Sequence, residues 1–392
     1  MKFIVVAPNI SSKGLASSYR ISLIIEFLLK KGHEITLFTA VHPIKPELEK
    51  YENLNVHYIR NNRDNNYFYK VISKLFSVPD PMIFWCLKVC SRILKNRKTY
   101  REFDYSFYSS PPHSLHVIGL LLKTLLKVPF ISDFRDDWMG SHRLSHLTIV
   151  HKYLSSKIEA KVVNQSRAVF NAIPIVSKDL KLKYPKYSHK IFTATNGFDN
   201  AFKERLLDTS FGEKYNQNTI VYCGGGYKGF INEKFNNLAS GLIALGLDSK
   251  WKIVSAGPGI EVDESNKGVW KHHGLVSPQK VEELIVNASV HLSILPEGDL
   301  INSRTIPLKM YSQVITQGSI LFIGNKGVTN DVFKDLPGIF FLGYNAWENL
   351  SDFIKMNEEK LEEKHLRNVD KFNFQNIMND YISIINNLEN PK

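Results

Sequence analysis

The densest chemistry in the sequence is the run DFRDDW at 133–138, three carboxylates and a guanidinium within five residues. It follows directly on an apolar strand candidate, Pro129–Asp133, where a merely solvated charge run is out of place. Side chains alternate along a strand, so Asp133 and Arg135 point away from Phe134 and Asp136, and one pair faces a crevice. Carboxylates there suit acid–base work on a hydroxyl, and structural ion pairing through Arg135 is the alternative. A second loop, SSPPHSLH at 109–116, puts His113 near a helix start, as a base, a hydroxyl contact, or a capping and packing group. A third, GGGYKG at 224–229, follows a strand. Either Gly225 and Gly226 let backbone amides cradle a diphosphate, with Lys228 adding charge, or the run is a plain glycine turn. Pro307, Leu308 and Lys309 open a helix, where a lysine opposes the dipole unless an anion binds. Gly14 and Arg20, around the first predicted helix start, form a weaker anion site of the same kind.

These loops sit at the carboxyl ends of strand candidates, where doubly wound sheets bind ligands. Phe3–Ala7, Ser17–Lys31 and Glu34–Thr39 read as a βαβ unit, with Gly32 closing the helix. Strand candidates continue at 55–59, 104–108, 129–133, 168–172 and 190–193, with helices at 115–126 and 151–165. A second series begins at Thr219. Its strands are expected at 220–222, 252–256, 269–272, 290–295, 320–323 and 339–342, and its helices at 233–245, 279–288, 308–317, 346–363 and 374–388. The pattern predicts two α/β units of similar size, with a boundary near residue 200.

At 392 residues and 43% apolar composition, the chain is too long for one ordinary domain and too apolar for disorder. Residues 1–200 hold 30 Lys and Arg against 15 Asp and Glu, whereas the remainder is net −3, so the basic half is the one that meets anions, if its charge is not simply a solvated surface. Cys86, Cys90 and Cys223 form no disulfide framework and no metal-ligand spacing, which suits a reducing compartment. The segment MKFIVVAP is too short for a signal-peptide core, and no run is long enough to span a bilayer. The expected location is cytoplasmic, at most peripheral to the inner membrane face.

The segment 60–101 breaks the alternation. It carries ten Lys and Arg, two acids, and interleaved Tyr67, Phe68, Tyr69, Phe76, Phe84, Trp85 and Tyr100. It reads as an interfacial membrane contact or as a helical pair with core aromatics and solvated lysines. Nucleic-acid binding is a distant third, since no recognised module is present and the second half is acidic.

Taken together these pieces resemble bacterial glycosyltransferases of family 4, and more narrowly the lipopolysaccharide, capsule and O-antigen branch. The residues carrying the likeness run in order: Gly14, Arg20 and KGHEITLFT at 31–39; VPDP at 78–81 with Trp85; SSPPHSLH; VPFISDFRDDW at 128–138; NGFD at 196–199; YCGGGYKG at 222–229; and IPLKMY at 306–311. The resemblance implies an α/β GT-B fold of two Rossmann-like domains facing across a cleft. It assigns residues 1–200 to the acceptor, 201–372 to the nucleotide-sugar, and 373–392 to a helix crossing back to the first domain. It implies retaining, metal-independent sugar transfer, with a UDP-sugar preferred over a GDP-sugar. The acceptor would be a glycan or polyprenyl-diphosphate-linked, met at an anionic membrane surface. Gly225, Gly226, Lys228, Lys309, Pro307 and Tyr311 would hold the donor, with Gly14 and Arg20; Asp133, Arg135, Asp136 and His113 would serve the reaction.

Two positions depart from the family. The paired glutamates near the nucleotide have Arg304 and Ser312 in their slots, leaving Glu297 as a substitute ribose contact, and Arg135 stands where many relatives carry a crevice histidine. Two other readings therefore stand beside transfer: a nucleotide-sugar 2-epimerase of the same architecture, and a non-catalytic binder of sugar nucleotides or glycans.

Overall fold

A computed structural model describes residues 1–10, 16–61, 77–140, 148–207, 218–225 and 230–389. The chain divides into two compact units, Met1–Asn196 with Gln375–Lys392, and Gly197–Phe374.

The first unit is built on a seven-stranded parallel sheet ordered β3-β2-β1-β4-β5-β6-β7. Its strands are β1 (Lys2–Val6), β2 (Glu34–Thr39), β3 (Leu54–Tyr58), β4 (Tyr105–Ser110), β5 (Phe130–Phe134), β6 (Ala168–Asn171) and β7 (Ile191–Thr193). Parallel strands covered on both faces are continuous apolar runs, and Phe3, Ile4, Val5 and Val6 of β1 are all buried. The covering helices include α1 (Ala16–Lys30), α2 (Ile83–Lys95), α3 (Leu115–Leu126), α4 (Ile149–Gln165) and α5 (Pro174–Lys183). Strand order reverses between β1 and β4, so a crevice opens beyond their carboxyl ends.

The second unit repeats the plan with six parallel strands ordered β10-β9-β8-β11-β12-β13. They are β8 (Asn218–Cys223), β9 (Trp251–Ala256), β10 (Trp270–His272), β11 (Val290–Ile294), β12 (Ser319–Ile323) and β13 (Ile339–Leu342). Among its helices are α6 (Phe230–Ala244), α7 (Pro278–Val286) and α8 (Leu308–Gln313). The reversal here lies between β8 and β11.

The last helix, α9 (Phe374–Glu389), packs on the first unit. Met378, Tyr381 and Ile385 are buried at helical spacing, and the Tyr381 ring stacks on Phe170 at 3.4 Å between centroids.

Some elements differ from the sequence pattern. The helix expected over 346–363 is broken into a 3-10 turn at Tyr344–Trp347 and two short helices, Leu350–Met356 and Glu358–Glu362, with Asn357 between them outside the helical region at φ −118° and ψ 18°. The helix from Leu308 ends at Gln313 rather than 317. Helix α5 and the helix Asn200–Leu207 fall where no helix is expected, although Pro174 at the first turn is a helix-start signal. The aromatic reading of 60–101 also needs correcting where the structure describes it. Trp85 is buried on α2 and its indole N–H donates to the Ile59 carbonyl at 2.7 Å; Tyr100 is buried against Phe38 and Phe103. Neither is presented to an interface. Tyr67, Phe68, Tyr69 and Phe76 lie outside the described residues. Among the described residues no helix is long and apolar enough to cross a membrane.

Candidate functional site

In the first unit the candidate residues meet at the ends of β4 and β5. Asp133, on β5, is fully buried and lies opposite Ser109 in the β4 register. Arg20, one turn into α1, grips it bidentately: Nε donates to Oδ2 at 2.9 Å and Nη2 to Oδ1 at 2.7 Å. Arg20 Nη1 donates to the Thr195 carbonyl at 2.8 Å, and Ser109 Oγ donates to Asp133 Oδ2 at 2.7 Å. This cluster satisfies itself, as a buried ion pair must. Asp133, expected from the sequence as a catalytic carboxylate, and Arg20, expected as an anion ligand, are here turned to each other inside the first unit, and each neutralises the other.

Arg135 and Asp136 remain half-buried. Arg135 Nε donates to the Ser110 carbonyl at 3.2 Å and Nη2 to the Pro111 carbonyl. Burial lowers its pKa from the ordinary value, opposed by Asp133 and Asp136. His113 is buried, its ring stacked on Trp138 at 4.5 Å and its Nδ1 3.1 Å from Ser110 Oγ. This is the geometry of the packing alternative that the sequence offered for His113, beside its reading as a base or hydroxyl contact. His116 is enclosed by Tyr108, Phe134 and Trp138. Among the described residues neither of its ring nitrogens has a hydrogen-bond partner, and burial depresses its pKa to about 3. Asp80, of the VPDP run, accepts from Ser114 N at 2.8 Å and Ser114 Oγ at 2.7 Å. The start of α3 is therefore filled by a protein carboxylate. Gly14 lies outside the described residues.

The second unit holds a different arrangement at the ends of β8 and β11. Tyr222 is buried and its hydroxyl donates to the Gly225 carbonyl at 3.0 Å, bracing the start of the glycine run. Lys309, half-buried near the start of α8, lays its Nζ 4.2 Å from the Tyr222 ring centroid. Among the described residues no carboxylate lies within ion-pair distance of it. Burial lowers its pKa to about 8, and burial beside it pushes the Cys223 thiol up to about 11. Gly257, at φ +142°, lets β9 turn tightly against this loop; a Cβ there would fall 1.9 Å from the Gly224 carbonyl oxygen. Among the described residues a Cβ at Gly225 would meet only the Pro258 carbonyl, at 3.8 Å, so these leave room beside it. Pro307 precedes α8 in an extended conformation rather than inside its first turn. Tyr311, expected as a donor contact, has its ring buried against Phe333 and Phe372. Gly226 and Lys228 lie outside the described residues. Sequence reasoning missed Tyr222 as the platform for Lys309; the signal was an aromatic at the end of a strand before the glycines.

A glycosyltransferase from Rickettsia africae superposes with a TM-score of 0.61 over 100% of this chain and 99% of its own, at 12% identity. A UDP-forming α,α-trehalose-phosphate synthase from Burkholderia xenovorans gives 0.67 over 99% of both chains at 11% identity. The chain has the GT-B fold. The catalytic domain of starch synthase IV from Arabidopsis thaliana, bound to ADP and acarbose, shares this GT-B architecture with a TM-score of 0.59 over 99% of both chains at 11% identity. No protein-family model matches the chain, and no curated sequence is significantly similar to it.

Proposed function

We propose that this chain is a glycosyltransferase that moves a sugar from a nucleotide-sugar, a UDP-sugar before a GDP-sugar, to a glycan acceptor in cell-surface polysaccharide synthesis. In this reading the second unit holds the donor and the first the acceptor, the transfer retains configuration, and no metal is needed. The acceptor is carried on a polyprenyl diphosphate at the inner membrane face. The observation that supports it is Lys309: a half-buried cation, resting on a ring beside Gly225, with no carboxylate among the described residues to neutralise it. A departing nucleoside diphosphate develops negative charge, and a desolvated lysine at that point stabilises it more than water does. On the acceptor side we place Asp136, half-buried beyond β5, against the acceptor hydroxyl, whose proton can pass to the leaving phosphate.

Calorimetric titration of UDP tests the donor site. Lys309→Ala is expected to weaken binding by about 1.5–3 kcal/mol, the range for a charge-assisted contact. Equal affinity in a folded variant overturns the assignment. Turnover is expected to persist in excess EDTA, and a manganese requirement overturns metal independence. Arg304 and Ser312, in the slots of the family's glutamates, favour one second reading, a binder of sugar nucleotides without turnover. Slow hydrolysis of one member of a nucleotide-sugar panel separates the enzyme from the binder.

A further inference from the structure

Four large apolar side chains stand exposed on two turns of one helix, at the start of α4: Ile149 at 87%, Val150 at 63%, Tyr153 at 59% and Leu154 at 43%. At 100° per residue they share one stripe of the helix, and Lys157 and Lys161 continue it toward the C-terminus. Lys157 Nζ lies 5.2 Å from the Tyr153 ring centroid. The opposite face is the one that packs inward: Ser155, Glu159, Val162 and Val163 are buried, and Trp138 donates to Ser155 Oγ at 3.0 Å. Glu159, the single acid of this helix, is on that inner face, taken by Lys183 Nζ at 2.5 Å and Tyr184 Oη at 2.6 Å. The outer stripe therefore carries no negative charge. Helix α5, tied on through Lys183, adds exposed Lys178, Lys181 and Leu182. Residues 148–190 hold nine Lys and Arg against two acids.

Soluble chains seldom leave such a tip to water. An aliphatic end followed by lysines is the pattern of a helix lying in a lipid headgroup layer. A second copy would set lysine against lysine, and a nucleic acid would gain nothing from Ile149, Val150 and Leu154.

We infer that the first two turns of α4 insert into an anionic bilayer surface, with Ile149, Val150, Tyr153 and Leu154 at the acyl boundary and Lys157 and Lys161 on lipid phosphates. This rests on the proposed membrane-face reaction and moves its docking element from the aromatics of 60–101 to α4.

Sedimentation with phosphatidylcholine vesicles, with and without phosphatidylglycerol, tests it. The wild-type protein is expected to pellet with the anionic vesicles alone. Ile149→Glu with Tyr153→Glu, and separately Lys157→Glu with Lys161→Glu, should each lower the bound fraction about tenfold or more, since one basic contact contributes about 1 kcal/mol. Leu87→Glu with Arg92→Glu on α2, also exposed, should change it less than about twofold on the same scale. These are surface positions, and unchanged melting curves certify the fold. Absence of wild-type binding overturns the inference. So do retention of binding by both α4 pairs, and a concentration-dependent dimer that the Ile149→Glu, Tyr153→Glu pair abolishes. UDP titration of the wild-type protein reads the donor site separately: its failure strikes the transferase reading and leaves the vesicle result standing.

Discussion

The two strand-end clusters use the same kinds of residue to opposite ends. In the first unit a guanidinium and a carboxylate are both buried and consume each other, with Ser109 and the Thr195 carbonyl completing the network. In the second, a lysine is held half-buried over a ring, beside glycine, with its charge uncompensated by any described carboxylate. A buried charge with its partner supplied by the fold is scaffold, because desolvation and attraction are settled at folding. A desolvated charge without one is a standing cost that a ligand can relieve.

The sharpest break of this comparison is Asp133→Ala. It strands the Arg20 guanidinium in the core and is expected to cost about 3–5 kcal/mol in denaturant unfolding. Arg20→Met combined with Asp133→Leu should recover most of the loss; a single-variant cost near zero would make the pair an exposed site after all. Next comes the pH dependence of UDP binding. A lysine titrating near 8 is charged below that value and loses its proton above it. Affinity should hold below pH 8 and fall above it by up to about tenfold per pH unit. Lys309→Arg should remove that fall, and an unchanged profile would assign it to another group. Without ligand the same desolvation works against folding. Lys309→Met is therefore expected to raise stability by about 1 kcal/mol at neutral pH while abolishing UDP-induced stabilisation. The smallest effect belongs to His116. Leu should be tolerated there within about 0.5 kcal/mol at neutral pH, because no described hydrogen bond is lost. The sign changes in acid. The folded ring titrates near 3 and an unfolded one near 6.5, so the wild-type protein loses stability as pH falls below 6.5. His116→Leu should flatten that slope, by about 1.4 kcal/mol per pH unit at most; an unchanged slope would show that the ring does not titrate on unfolding.

Much of the frame is legible from the amino-acid order. Glu34–Thr39, Leu115–Leu126 and Ile339–Leu342 have the ends that composition and breakers predict. Covered parallel strands announce themselves as unbroken apolar runs. The site is less legible, because its pairings are long-range. Nothing near Arg20 indicates that its partner stands 113 residues away, and DFRDDW reads as a catalytic cluster until Asp133 is seen to be spent. Tyr311, two residues past Lys309, shows the same limit: on a one-turn helix that spacing sends one side chain to the loop and the other to the core. Trp85 and Tyr100 look interfacial by composition, but α2 and the turn after it face them inward.

The assignment of α9 to the first unit has a consequence for the order of assembly. Residues Gly197–Phe374 are an insertion between two parts of one core, and Tyr381, which stacks on Phe170, is translated after all of them. On the ribosome the unit begun first is finished last: its sheet must wait, with the seat of Tyr381 open, while the second unit completes its own core. A chain stopped just after Phe374 would carry a finished second unit and an unsealed first one.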